Sequence, residues 1–125
     1  MNSLVLLCLA VTAPDADQIS FNDQIRPILA DRCYACHGPD AAKRQAELRL
    51  DQEETTQAVL VPGKPESSEI LKRLSSHDPD EMMPPPGSKL SVSAEEIALI
   101  RRWIEQGARW ERHWSFVAPT KSELP

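Results

Sequence analysis

An all-α fold is predicted, because three segments repeat apolar residues at the spacing that places them on one face of a helix. Helix boundary signals support this prediction. Ser93 and Glu96 stand in the order of a capping box at the start of the third segment, and Gly107 follows its end where a C-cap is expected. The apolar positions are Ile25, Ile28 and Leu29 in the first segment, Ile70, Leu71 and Leu74 in the second, and Ile97, Ile100 and Ile104 in the third.

The first helix is expected to use Asn22 as its N-cap and to run up to Cys33. Pro27 lacks a backbone N–H, so the helix should begin near this residue or bend there. The Gly-Pro-Asp sequence at 38–40 should then turn the chain away. The residues around Cys33 are therefore expected at the end of a helix and directly before a turn.

The middle of the chain is predicted to alternate short helices with a rigid loop. One or two helical turns are expected within residues 51–58. A second helix should start at Pro65, with Lys64 as an indifferent N-cap, and end before Pro79. The segment 80–87 contains Met82, Met83 and three consecutive prolines, so it should form a stiff, non-helical loop.

The length and composition indicate one small domain with modest means of building a core. The chain has 125 residues, 5% aromatic residues and 11 prolines, and small domains of this kind often need a covalent or metal staple. The net charge of -5 argues against binding to nucleic acid or to anionic membrane surfaces. It suits a partner with a basic docking patch, and it also suits plain solubility.

The N-terminal segment indicates export. The apolar run Leu4–Val11 is too short to span a membrane and resembles the apolar region of a signal peptide, with small residues following it, although no Lys or Arg precedes it. We therefore expect a periplasmic or other extracytoplasmic protein. The expected division is a signal peptide at 1–16, a domain at 17–112, and a linker or the start of a following domain at 113–125.

The motif with the most specific chemistry is the C-x-x-C-H run formed by Cys33, Cys36 and His37. Two thiols three residues apart on a helical turn project from the same face, so each can form a thioether with one vinyl group of a haem. The histidine that follows lies near that face and can serve as the proximal iron ligand. This spacing is the signature of c-type haem attachment, and it predicts one covalently bound haem c.

Three other uses of the same residues are less well supported by the rest of the chain. A zinc site needs a fourth ligand and usually a second Cys or His pair, and the remaining histidines His77 and His113 are unpaired. A thioredoxin-like dithiol would follow a strand within a βαβ unit. A disulfide between Cys33 and Cys36 would close too short a loop to stabilise the fold much.

The distal iron ligand is predicted to be Met83. The proline at position 84 holds the backbone of Met83 extended, so its thioether is carried on a rigid arm. Met82 should point to the opposite side of the extended segment. Met82 and His77 are the less favoured alternatives, and His113 lies beyond the last helix.

These motifs and their flanking residues resemble class I cytochrome c, and in detail the planctomycete-type cytochrome c domain. The similarity includes Cys33–Gly38, the Met-Pro-Pro sequence at 83–85, and the segments 21–29, 48–51, 61–68, 103–108 and 113–116. The resemblance implies a small class I fold around one haem c, with Cys33 and Cys36 as thioether sites, His37 as proximal ligand and Met83 as distal ligand. It also implies that such a domain usually stands at the N-terminus of a larger exported protein.

The expected function is one-electron transfer by a mono-haem domain that serves a fused or docking redox partner. Arg49 is a candidate partner for a haem propionate, although such an arginine is more often solvated. The expected haem pocket is formed by Ile25, Leu29, Leu50, Leu71, Ile100 and Trp103. With both axial positions of the iron filled, no substrate binds the metal, so the domain itself is not expected to be an enzyme. The alternative is a haem-based sensor or binding module for a small ligand, with a labile or absent Met83 bond. A peroxidase-like activity would also need an open iron site, and no distal His and Arg pair accompanies the Met83 loop.

Overall fold

The computed structural model describes residues 16–119, and all regular structure within this range is helical. This confirms the all-α prediction for the described part. The expected signal peptide falls almost entirely on residues 1–15, and the end of the expected linker on residues 120–125, both outside the described residues. Among residues 16–119, no helix has the length and apolar character needed to cross a membrane.

Within residues 16–119, four α-helices follow one another, with single turns of other helix types between them. The α-helices are α1 (Arg26–Arg32), α2 (Glu53–Thr56), α3 (Glu69–Ser75) and α4 (Ala94–Glu105). A π-helical turn, Phe21–Ile25, leads directly into α1. Short 3-10 turns lie at Pro65–Ser67, Pro86–Ser88 and Trp114–Phe116.

The first helix begins earlier than the sequence suggested, so the assignment of Asn22 as N-cap is wrong. Ser20 is the N-cap, and its hydroxyl accepts a hydrogen bond from the backbone N–H of Asp23 at 3.3 Å. The side chain of Asn22 is used elsewhere: its amide donates to the carbonyl of Arg112 at 2.6 Å. Pro27 is the second residue of α1 and follows the π-helical turn directly.

The later helices start at well-defined residues. The chain makes a 3-10 turn at Pro65 and enters α3 only after Ser68, so Lys64 is not the cap of the α-helix. The capping box of α4 is present: the Ser93 hydroxyl accepts from the Glu96 N–H at 3.1 Å, and the Glu96 carboxylate accepts from the Ser93 N–H at 2.9 Å. Gly107 follows α4 with a φ of +102°, which favours glycine.

The hydrophobic core forms where α4 packs against α3 and the π-helical turn Phe21–Ile25, and α1 adds Ile28 and Leu29. Its centre is a cluster of three aromatic rings, in which Phe21 lies 5.4 Å from Trp103 and 4.2 Å from Trp110 between ring centroids. Phe21 and Trp103 are almost wholly buried. The core is therefore more complete than the low aromatic content led us to expect. Its other buried members are Ile19, Ile25, Ile28, Leu29, Leu60, Leu71, Ile100, Ile104 and Ala108.

Candidate haem site

The C-x-x-C-H run follows α1 as a separate turn. The helix ends at Arg32, one residue before the motif, and Cys33 is its C-cap. The backbone N–H of His37 nevertheless donates to the carbonyl of Cys33 at 2.8 Å, which is the hydrogen bond of one helical turn. The motif therefore keeps a turn-like geometry, although the helix itself does not extend into it.

Gly38 is needed because the chain doubles back closely after His37. This residue is buried, and a Cβ built on it would collide with the backbone carbonyl of Tyr34. The chain then returns along the motif: the N–H of Gln45 donates to the carbonyl of Cys36 at 2.7 Å, and that of Leu50 donates to the carbonyl of His37 at 2.8 Å. The loop after the motif is thus tied to the motif backbone at two points.

The loop that carries Met83 is tied to the end of α3. The backbone N–H of Met83 donates to the carbonyl of Arg73 at 3.1 Å, and the same carbonyl also accepts the N–H of Ser76 at 3.4 Å. The N–H of Met82 donates instead to the carbonyl of Asp78 at 2.8 Å, within the loop. The peptide bond between Met83 and Pro84 is cis.

A cavity of about 580 Å³ lies between the motif turn, α2, α3 and the Met83 loop. Cys33, Cys36, His37 and Met83 all line this cavity. Much of the remaining wall is apolar, and it is formed by Ala46, Leu48, Leu50, Ala58, Val59, Ile70, Leu74, Pro84, Pro85 and Leu90. The fold thus brings the four residues that the sequence singled out to one largely apolar space.

The other candidate iron ligands are not on the wall of this cavity. Met82 is absent from its lining, and His77 is exposed. His113 lies instead at a second, separate cleft near the end of the described chain, beside Trp110 and Phe116. Within residues 16–119, no group of three or more His, Cys, Asp and Glu side chains is arranged to hold a metal ion, as the zinc interpretation would require.

The charged residues of the cavity wall are largely paired. Arg73 forms an ion pair with Glu69 at 3.1 Å, and Arg32 approaches Glu96 of α4 at 3.5 Å. Arg32 and Arg73 were not singled out from the sequence, because nothing in their local pattern distinguishes them from solvated basic residues. Only the packing of α1 and α3 around the cavity places them there.

Arg49, considered from the sequence as a partner for a haem carboxylate, is engaged elsewhere. Its guanidinium makes two hydrogen bonds to Asp51, at 3.0 and 2.6 Å, and it does not line the cavity. These hydrogen bonds hold the pKa of the Asp51 carboxyl below its usual range. The pair fixes the segment that precedes α2.

The residues that line the cavity have the chemistry that a covalently attached haem requires. Both thiols are free, and burial raises the pKa of the Cys33 thiol to about 11, although the nearby Arg32 opposes the shift. The Nδ1 atom of His37 is buried and has no hydrogen-bond partner among the described residues. A thiol pair, an imidazole and a thioether around an apolar space form the donor set for a haem c, so the residues present fit this group.

A comparison with protein families matches this part of the chain. Residues 33–87 match the family model described as planctomycete cytochrome C. This segment is thus similar to the planctomycete cytochrome C family. The match confirms the resemblance inferred from the sequence and supports a c-type cytochrome domain, for which the family implies haem c binding. No curated protein and no solved structure gave a significant match.

The cytochrome match begins at Cys33 and ends at Gly87, so it contains all four predicted haem-binding residues. It leaves out α1, α4 and the π-helical turn before α1, which together supply most of the buried core cluster. Sequence reasoning also placed several core residues around the haem, and this is wrong for most of them. Leu50 does line the cavity, whereas Ile25, Leu29, Leu71, Ile100 and Trp103 are core residues outside its lining.

Proposed function

We propose that this cytochrome domain transfers single electrons through one haem c, held by thioethers to Cys33 and Cys36 and ligated by His37 and Met83. The observation that carries the proposal is the shared cavity, which all four residues line. Bound there, the haem would supply an Fe(III)/Fe(II) couple. The class I fold that the family suggests and the absence of enzymatic activity in this domain are parts of the same proposal.

The chain's own part in this function is to occupy both axial positions and to exclude water. His37 is held by backbone hydrogen bonds of the motif turn, and Met83 by its N–H bond to the carbonyl of Arg73. The backbone segments that carry His37 and Met83 are therefore both fixed by hydrogen bonds. A thioether ligand raises the reduction potential of such a site relative to harder ligands. The apolar wall keeps the local dielectric low, which acts in the same direction.

Met83→Ala tests the axial assignment. In the oxidised holoprotein the Fe–S charge-transfer band should disappear, because Met83 is the only methionine among the described residues that lines the cavity. Carbon monoxide should then bind the reduced protein readily, whereas the unmodified protein should not respond to it. Both results are read from absorption spectra.

Met82→Ala is the matched control, since this neighbour has the same side chain and does not line the cavity. Met82→Ala should keep the Fe–S charge-transfer band. Loss of the band in Met82→Ala, with retention in Met83→Ala, would show that the wrong methionine was assigned. Ready binding of carbon monoxide to the unmodified protein would instead favour the sensor function.

We further propose a partner with a basic docking patch at the mouth of the cavity. Because Arg32 and Arg73 each have a carboxylate partner, the unpaired charges on the cavity wall are acidic. Glu47 and Glu54 line the cavity, are exposed, and form no ion pair among the described residues. They would attract basic side chains to the exposed edge of the haem.

Glu47→Lys combined with Glu54→Lys is expected to slow electron transfer with a basic redox protein. The rate constant should fall at low ionic strength and approach that of the unmodified domain as salt is added, because exposed charges are screened. Stopped-flow measurement with mitochondrial-type basic cytochrome c as a model partner gives this rate. The control is Glu105→Lys, an exposed residue of α4 outside the cavity lining. Equal slowing by the control would contradict this docking surface.

We also propose that the protein is exported, and thus extracytoplasmic. The apolar run Leu4–Val11 with small residues after it supports this, as does the need to attach haem outside the cytoplasm. Fractionation of cells that produce the full chain would test it. Recovery of a haem-free chain from the cytoplasm only would contradict it.

A further inference from the structure

Arg73 connects α3 to the loop that carries Met83 at two points. Its backbone carbonyl accepts the N–H of Met83 at 3.1 Å, and its Nη1 donates to the carbonyl of Glu81 at 3.4 Å. Its side chain also lines the cavity beside Met83. We propose that Arg73 is a positioning residue that holds Met83 toward the iron, an inference that rests on the proposed His37/Met83 ligation.

The guanidinium is oriented by Glu69, one helical turn earlier on α3. The Nε atom of Arg73 donates to Oε1 of Glu69 at 3.1 Å, and both side chains are 41% exposed. A pair this exposed adds little to the stability of the fold. Its effect is to fix the direction of the guanidinium, which leaves Nη1 free to reach the loop. Arg73 thus links a rigid helix to a segment that has no regular structure.

The remaining side-chain and backbone bonds of the loop are local to it. Asp78 accepts the N–H groups of Glu81 and Met82 at 3.0 and 2.8 Å, and the Ser76 hydroxyl donates to Glu81 at 3.4 Å. These bonds shape the loop and connect it to Ser76, the C-cap of α3, but they involve no side chain from within the helix. Within the described residues, Arg73 is the residue of α3 whose side chain hydrogen-bonds to the loop.

Removal of the guanidinium should therefore leave the fold intact and loosen the ligand. The backbone bond from the Met83 N–H to the Arg73 carbonyl would remain, and the bonds of the guanidinium to the Glu81 carbonyl and to the Glu69 carboxylate would be lost. A hydrogen bond of this kind contributes enough to change the fraction of protein with Met83 detached by roughly two- to tenfold. The unfolding transition should move little, because Arg73 is not part of the core.

The experiment titrates the oxidised holoprotein with imidazole, which binds iron only when the methionine has left. Arg73→Met should raise the apparent imidazole affinity by roughly two- to tenfold and weaken the Fe–S band. Arg73→Lys keeps the positive charge, so its apparent imidazole affinity should lie between that of the unmodified protein and that of Arg73→Met. Glu69→Gln should show a smaller change in the same direction, because it removes only the ion pair that orients the guanidinium.

Lys72→Met is the matched control, because Lys72 is the exposed neighbour on α3 with the same charge and outside the cavity lining. It should leave imidazole binding unchanged. Equal changes in Lys72→Met and Arg73→Met, or no change in Arg73→Met, would overturn the positioning role. Retention of the band in Met83→Ala would instead overturn the proposed ligation itself, so the two failures are distinguishable.

Discussion

Replacing both Cys33 and Cys36 by serine is expected to leave no haem attached to the chain after unfolding. In the proposed attachment, each thiol would add across one vinyl group, with the S–H hydrogen transferred to the vinyl and a C–S bond formed. A serine hydroxyl does not undergo this addition, so haem in the double variant can be held only by its axial ligands and by the apolar wall. Acid-acetone extraction should then separate haem from the chain completely, as measured by absorbance of the precipitate.

The single variants and a neighbouring control sharpen this test. Cys33→Ser and Cys36→Ser should each retain haem through one thioether, and their spectra after unfolding should indicate one remaining vinyl group. Ala35→Ser introduces the same hydroxyl between the two cysteines, at an exposed position, and should retain haem fully. Haem that stays with the unfolded double variant would contradict attachment at these thiols.

Trp103→Ala is expected to lower the free energy of unfolding by about 3–5 kcal/mol. Trp103 is 1% exposed, it packs 5.4 Å from Phe21 between ring centroids, and its indole N–H donates to the carbonyl of Arg109 at 2.9 Å. The substitution leaves a large cavity where α4 meets the first helix. It also leaves the Arg109 carbonyl without its donor. Urea denaturation followed by circular dichroism measures the loss.

The control for this core substitution is Trp114→Ala, which removes the same side chain from a position that is 70% exposed. Its effect should stay within about 0.5 kcal/mol. Because Trp103 does not line the haem cavity, the folded fraction of Trp103→Ala should keep the Fe–S band. Equal losses of stability in the two variants would show that burial in the core is not the cause.

The helices were predictable where local signals decide them. The capping box of Ser93 and Glu96 and the glycine at 107 use only neighbouring backbone groups, so their pattern in the sequence was sufficient. The start of the first helix was not predictable in this way. Asn22 is a good cap by type, but its amide bonds to Arg112, which is 90 residues away along the chain. A long-range contact there overrides a local preference.

Which apolar residues pack in the core and which line the haem cavity could be distinguished only in the structure. Helical periodicity identifies the apolar face of a segment, but it does not distinguish what that face packs against. Trp103 and Leu71 were therefore placed beside the haem, although they pack in the core. Val59 and Leu90 received no role from the sequence, and they line the cavity.

The sequence by itself predicts the attachment chemistry, because Cys33, Cys36 and His37 lie close together in the chain and their spacing alone places them on one turn. The tertiary structure decided what faces that turn. Met83 is 46 residues beyond His37, and its place on the cavity wall depends on the backbone bond to Arg73 at the end of α3. Such a contact joins segments that no local pattern relates. The same holds for Arg73 itself, whose role emerges only once α3 and the loop are packed together.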